Sequence, residues 1–162
     1  MPFAAVNRPG QPVHSGDLQR HHLLPRQAID WPGLQRLFDC LGRERIGFDD
    51  FRRNGLLLPS RESAVLRLGL PLHLGPHRDY NQMVIERLGG IERSWARRRT
   101  CNADAARKSA AIRIGLLQAA LRKRILEQRR PIRFHRADPL DHNRDFTILD
   151  SLAEDLWRAS AG

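Results

Sequence analysis

The sequence predicts a mainly helical α+β fold, and three observations carry that expectation. Long apolar stripes at helical spacing fill the second half of the chain. Strand signals are few: Leu56-Leu57-Leu58, closed by Pro59, reads as a short buried strand, and the His21-His22-Leu23-Leu24 stretch is just as short and closed by Pro25. Hydrophobic residues make up 41% and aromatics only 6%, which suits a modest helix-rich core rather than a large β-sandwich. The 162 residues amount to about one domain.

Residues 1–19 hold Pro2, Pro9, Gly10, Pro12 and Gly16, too many breakers for any periodicity, so they read as an extended arm. His14 in that arm reads as solvated. Pro25 ends the segment that carries His21 and His22. Asp30-Trp31-Pro32 reads as a helix start, followed by Leu34, Leu37, Phe38 and Leu41 on one face and Gly42 as the stop. Asp49 and Asp50 are metal-ligand types, but without calcium-loop spacing they read as a helix cap or a solvated pair. Asn54-Gly55 is a tight-turn signal before the leucine strand. Residues 60–70 read as a mobile or partly helical connection. Pro76 belongs in the first turn of a helix, placing His73 just outside it and His77 inside, and Gly89-Gly90 is expected to end that helix. Another helix runs from Ile91 to about Arg99. Asn102 or Asp104 caps a long one reaching about Arg129, with Ala106, Ala110, Ile114, Leu117, Leu121 and Ile125 as its stripe. Pro131 follows, then an irregular stretch with His135 and His142 on the surface, and a last acidic helix from Thr147 to Ala159.

The net charge is +10, and lysine occurs only at Lys108 and Lys123. Arginine's planar fork grips phosphate oxygens in pairs, so the balance points to a polyanion, although GC-rich coding favours arginine with no functional meaning. Arg97-Arg98-Arg99 and the basic face of the long helix are candidate backbone contacts, or a solvated surface. Cys40 and Cys101 stand alone, which excludes a thiolate zinc knuckle and fits reduced, buried thiols. Trp31, Trp95 and Trp157 read as core. No apolar run is long enough to span a membrane, and the N-terminus lacks the layout of a secretory signal. The expected location is the cytoplasm, or a target cell reached by a signal-peptide-independent route.

The chemistry sits in an ordered constellation. His21-His22 comes first, then Asn54 before a short strand, then His73-x-x-x-His77 at a helix start. Adjacent strand residues point to opposite faces, so the pair offers two imidazoles for two jobs. A neutral imidazole with a pKa near 6.5 can take a proton from water. Three imidazoles can hold a divalent ion with positions left open for phosphate. Asn54 can bond across the pair of strands and hold the base's loop. Tyr80 reads as support or packing, and Asp79 as a partner for a ligand ring N–H or a helix cap. Arg78 reads as a phosphate clamp or as solvated.

The motifs His21-His22-Leu23-Leu24-Pro25, Asn54-Gly55-Leu56-Leu57-Leu58-Pro59 and Leu72-His73-Leu74-Gly75-Pro76-His77-Arg78-Asp79-Tyr80 resemble the AHH group of the HNH/endonuclease VII nuclease superfamily. Arg20 stands where the family name implies alanine, a position that is not a ligand type. The resemblance implies a small ββα-metal hairpin-helix core surrounded by helices, with Asn54 opening the second strand. It implies His21, His73 and His77 as ligands of one divalent metal (Zn, Ni, Mn, Co or Mg) and His22 as general base, with Asn54 in support. It also implies a nuclease core at 20–90, preceded by the arm at 1–19 and followed by a basic helical extension at 91–162. The expected activity is metal-dependent, weakly sequence-specific phosphodiester hydrolysis, with DNA favoured. The family supplies toxin domains in bacterial competition, which adds an acidic immunity protein as an expected partner. The alternatives are a non-catalytic nucleic-acid-binding module with a structural metal on the same histidines, and a protein-interaction module built on the helical half.

Overall fold

The computed structural model describes residues 1–75, 77–127, 134 and 147–160 of the chain. Two strands, β1 (Leu18–His22) and β2 (Gly55–Pro59), form an antiparallel pair. Between them lie three short helices, α1 (Gln35–Leu41), α2 (Arg43–Ile46) and α3 (Phe51–Asn54). After β2 come α4 (Glu62–Leu68), the two long helices α5 (Arg78–Arg98) and α6 (Ala103–Leu126), and α7 (Thr147–Ser160). The mainly helical α+β expectation holds.

The register places His21 opposite Leu56 and His22 opposite Gly55. Gly55 is extended, not part of a turn, because the strands are joined through three helices rather than a tight loop. Asn54 therefore does not open β2 but ends α3, one residue earlier. Glycine is required at 55 for another reason: a Cβ there would collide with the ring of Phe51. Asp50 caps α3 by accepting from the Arg52 N–H at 3.0 Å, the cap reading of the acidic pair.

Leu34, Leu37, Phe38 and Leu41 are buried as their spacing requires. The helix itself starts only at Gln35, because residues 31–34 form a turn closed by the Leu34 N–H on the Trp31 carbonyl. Trp31 is exposed rather than core, as are Cys40 and Cys101; Trp95 is buried. None of these departures is surprising for residues on the outer faces of short helices and turns.

The largest correction concerns Gly89-Gly90, which do not end a helix. The helix runs unbroken through them to Arg98. Two helical glycines cost about 2 kcal/mol relative to alanine. Burying Leu88, Ile91 and Trp95 on one face against the core returns about 1.5–3 kcal/mol for each aliphatic side chain alone. Tertiary packing against α6 thus overrides the local signal. The whole predicted α6 stripe, Ala106 to Ile125, is buried, and Asn102 caps it by accepting from Ala105 N–H at 2.9 Å. The described helix stops at Leu126; Arg129, Pro131, His135 and His142 lie outside the described residues. The last helix packs on α6, with the Arg113 guanidinium over the Trp157 ring.

The arm is not free. The side chain of Asn7 donates to the carbonyls of Ser15 and Leu18 and accepts from the Ser15 N–H, folding residues 1–17 back along β1. Residues 3–5 form a 3-10 turn, and the Arg20 guanidinium donates to the Phe3 carbonyl at 2.8 Å.

Two glycines give opposite predictions in urea unfolding. Gly55→Ala should destabilise by about 1–3 kcal/mol through the collision with Phe51. Gly89→Ala should stabilise by about 0.5–1 kcal/mol, because its new methyl meets only the flexible end of Arg93. A loss of stability in the second variant would contradict a continuous α5.

Candidate active site

Strand alternation sorts the residues of β1 into two sets. Gln19 and His21 share one face, Arg20 and His22 the other. His21 is 3% exposed and lies under the start of α5. His73 is held beside it by its backbone N–H, which donates to the carbonyl of Pro59, the last residue of β2, at 2.7 Å. His77 is the residue that precedes the first turn of α5, not a member of it. The ring nitrogens of His21, His73 and His77 come within 4.8 Å of one another. The three ligand candidates are thus brought together.

The trio fits a divalent cation. His21 Nδ1 and His73 Nε2 are 3.0 Å apart. Two nitrogens bound to one ion at about 2.0–2.1 Å stand about 3.0–3.4 Å apart, depending on the angle. The outer nitrogens of two rings are already engaged. His73 Nδ1 faces Gln19 Oε1 at 3.3 Å, and His77 Nδ1 faces the Phe134 carbonyl at 3.0 Å. With Nδ1–H donating in each, both Nε2 atoms keep their lone pairs, the tautomer that ligation needs. His21 Nε2, on the other side of the ring from the Nδ1 that faces His73, is buried with no hydrogen-bond partner among the described residues. The ring of Phe134 packs beside all three imidazoles.

Electrostatics disfavour the charged forms of His21 and His73. Burial, then the neighbouring His73, His77 and His22, hold the His21 pKa well below its ordinary value. Burial, then His77 and His22, lower His73 to about 4. Neutral imidazoles are the metal-binding form.

His22 points the other way. Its ring lies flat on the ring of Phe3, with centroids 3.8 Å apart and planes 2° from parallel. Phe3 in turn packs edge-on against Phe51. Burial lowers the His22 pKa, with Arg26 next and Asp49 acting in the opposite sense. His22 is nonetheless near enough for its charge to depress His21 and His73.

Asn54 is fully buried, and its amide is used throughout. Oδ1 accepts from the Leu24 N–H at 2.7 Å and from Gln118 Nε2 at 3.3 Å. Nδ2 donates to the carbonyls of Leu24 and Phe48, each at 3.2 Å. Its backbone carbonyl accepts from the Leu23 N–H at 2.8 Å. The buried Tyr80 hydroxyl donates to the Leu23 carbonyl at 2.7 Å, and burial raises its pKa. The exit from the histidine pair is therefore clamped from three sides.

Sequence reasoning missed four participants: Phe3, Gln19, Gln118 and Phe134. Gln19 alone had a local signal, two residues before His21 on the same strand face. Arg78 is exposed at the start of α5. Arg97, Arg98 and Arg99 are exposed at its far end, about 30 Å away at 1.5 Å per residue, so the structure does not join them to the imidazoles.

The depressed histidines set a pH dependence of stability. In the unfolded chain they protonate near 6.5; in the fold they resist protonation until lower pH, about 4 for His73. The unfolded state therefore binds more protons between those values, and stability falls as pH drops through that window. Thermal melts in EDTA should show a lower Tm at pH 4.5 than at pH 7. His21→Gln with His73→Gln should shrink the difference, and an undiminished difference would exclude these imidazoles as its cause.

Among the described residues, no helix is long and apolar enough to cross a membrane. No curated protein and no solved structure matches the chain. The model of the AHH family, described as a nuclease family of the HNH/ENDO VII superfamily with conserved AHH, matches residues 3–119. That span takes in Phe3, the histidine pair, Asn54, the His73–His77 segment and Gln118. The chain belongs to the AHH nuclease family.

Proposed function

We propose that the protein is a divalent-metal-dependent endonuclease in which His21, His73 and His77 hold the ion and His22 is the general base. The observation that carries this reading is the division of the adjacent pair: His21 is buried among two other imidazoles, while His22 is half-buried on the opposite strand face. A bound ion would act as Lewis acid toward the scissile phosphate. The remaining work belongs to the chain. His22 accepts the proton of the attacking water, for which its lowered pKa keeps it neutral. Phe3 fixes the plane of that imidazole. Asn54 and Tyr80 hold the Leu23-Leu24 backbone and so the strand end that carries the base. Arg78 is placed to meet a phosphate at the start of α5, and Arg97, Arg98 and Arg99 to meet more distant ones.

In this reading residues 20–90 carry the chemistry, residues 1–19 supply Phe3, and residues 91–162 are a helical extension packed on the core. Nucleic acid is the substrate that a nuclease family implies. A net charge of +10 favours phosphate contacts without base readout, and we favour DNA. An effector role, neutralised by an acidic immunity protein, follows from the basic surface and the family's occurrence among toxins. A structural metal site usually closes its fourth position with protein. The group found among the described residues has three members, which favours catalysis over a purely structural ion.

Plasmid cleavage tests the proposal. Activity should require a divalent ion, vanish in EDTA, and fall about 10²–10⁴-fold in His22→Ala. Phe3→Ala should lower the rate less, since it removes support and not the base. Undiminished cleavage by His22→Ala would overturn the general-base assignment.

A further inference from the structure

A hollow of about 390 Å³ lies between α3 and α6, within the size range of ligand clefts. Its lining includes the small residues Gly115 and Ala119, one helical turn apart on α6, and the cations Arg52, Arg53, Arg122 and Lys123. No aspartate or glutamate lines it. Among the described residues none of these four cations is ion-paired. The nearest carboxylate in sequence, Asp50, accepts from the backbone N–H of Arg52 as the cap of α3.

The guanidinium groups of Arg122 and Arg53 are held in place. Arg122 Nη2 donates to the Arg52 carbonyl at 2.7 Å and to the Arg53 carbonyl at 3.3 Å. Arg53 Nη1 donates to the Arg45 carbonyl at 2.6 Å. Forks anchored through backbone carbonyls lose little further freedom when an anion arrives.

The hollow adjoins the catalytic strands. Arg53 is two residues before Gly55, the register partner of His22. Gln118 lines the hollow and also bonds Asn54. Resting on the nuclease reading, we propose that this hollow binds the sugar-phosphate backbone of the nucleic-acid strand flanking the cleaved bond. Arginine forks meet the phosphates, and the small lining residues Gly115 and Ala119 meet the sugar.

The test measures binding of a 20-base-pair DNA duplex in EDTA, where turnover plays no part, so a failure to cleave would leave its result intact. Arg52→Gln with Lys123→Gln should weaken binding at least about tenfold at 0.1 M salt and lower the slope of log K against log salt by about two. A Cβ at Gly115 meets nothing within 4 Å, and Gly115→Leu should weaken binding by filling the hollow, with the slope kept. Circular dichroism checks that each variant is folded. Arg97→Gln with Arg98→Gln should cost less than the hollow's double variant. Unchanged affinity in both hollow variants, or a larger loss in the Arg97/Arg98 variant, would overturn the proposal. So would loss of poly-glutamate binding with DNA binding intact, which would assign the hollow to an acidic polypeptide.

Discussion

The buried amide of Asn54 is the constraint on which the rest depends. Its oxygen and nitrogen bond to the N–H and carbonyl of Leu24, to the Phe48 carbonyl and to Gln118. Four segments distant in sequence are thus tied at one point: the exit of β1, the α2–α3 connection, the entry to β2 and the middle of α6. A buried polar group left unpaired costs about 1–3 kcal/mol. Register errors that break this set are therefore penalised, and a one-residue slip would exchange the faces of His21 and His22. The proposed division of labour between the two histidines depends on that register.

From this point the site assembles outward. Correct register turns His21 inward to meet His73, which is fixed by a backbone bond to Pro59, and His77, placed by the start of α5. It turns His22 outward under Phe3. Gln19 and the Phe134 carbonyl complete the orientation of the other two rings. Each imidazole is therefore aimed by a contact from a different part of the chain, so the site depends on tertiary structure although its motifs are short.

What could be read from the sequence follows from how local each signal is. The His21-His22 alternation, the leucine strand and the α6 stripe have periods of a few residues and survive folding. The role of Asn54 was legible as a support across the strands. Its place was not, because Asn-Gly reads as a turn until Phe51 is seen to require the glycine. Gly89-Gly90 misled because the burial of Leu88, Ile91 and Trp95 outweighs two glycine penalties. Phe3, Gln118 and Phe134 lie 19, 64 and 57 residues from His22, Asn54 and His77, and no periodicity reports contacts at such separations. The arginine run at 97–99 and the basic face of the long helix drew attention as local clusters, whereas the hollow joins two cations of that face, Arg122 and Lys123, to Arg52 and Arg53 of α3, a pairing that no local pattern reports.

The most direct test of the central claim is calorimetric titration of a divalent ion such as Mn²⁺ into His21→Ala and His22→Ala beside the wild-type chain. The account predicts that His21→Ala loses affinity by an order of magnitude or more, since breaking a ligand set costs at least that, while His22→Ala binds as the wild type does. Equal losses in both variants, or a loss only in His22→Ala, would contradict it.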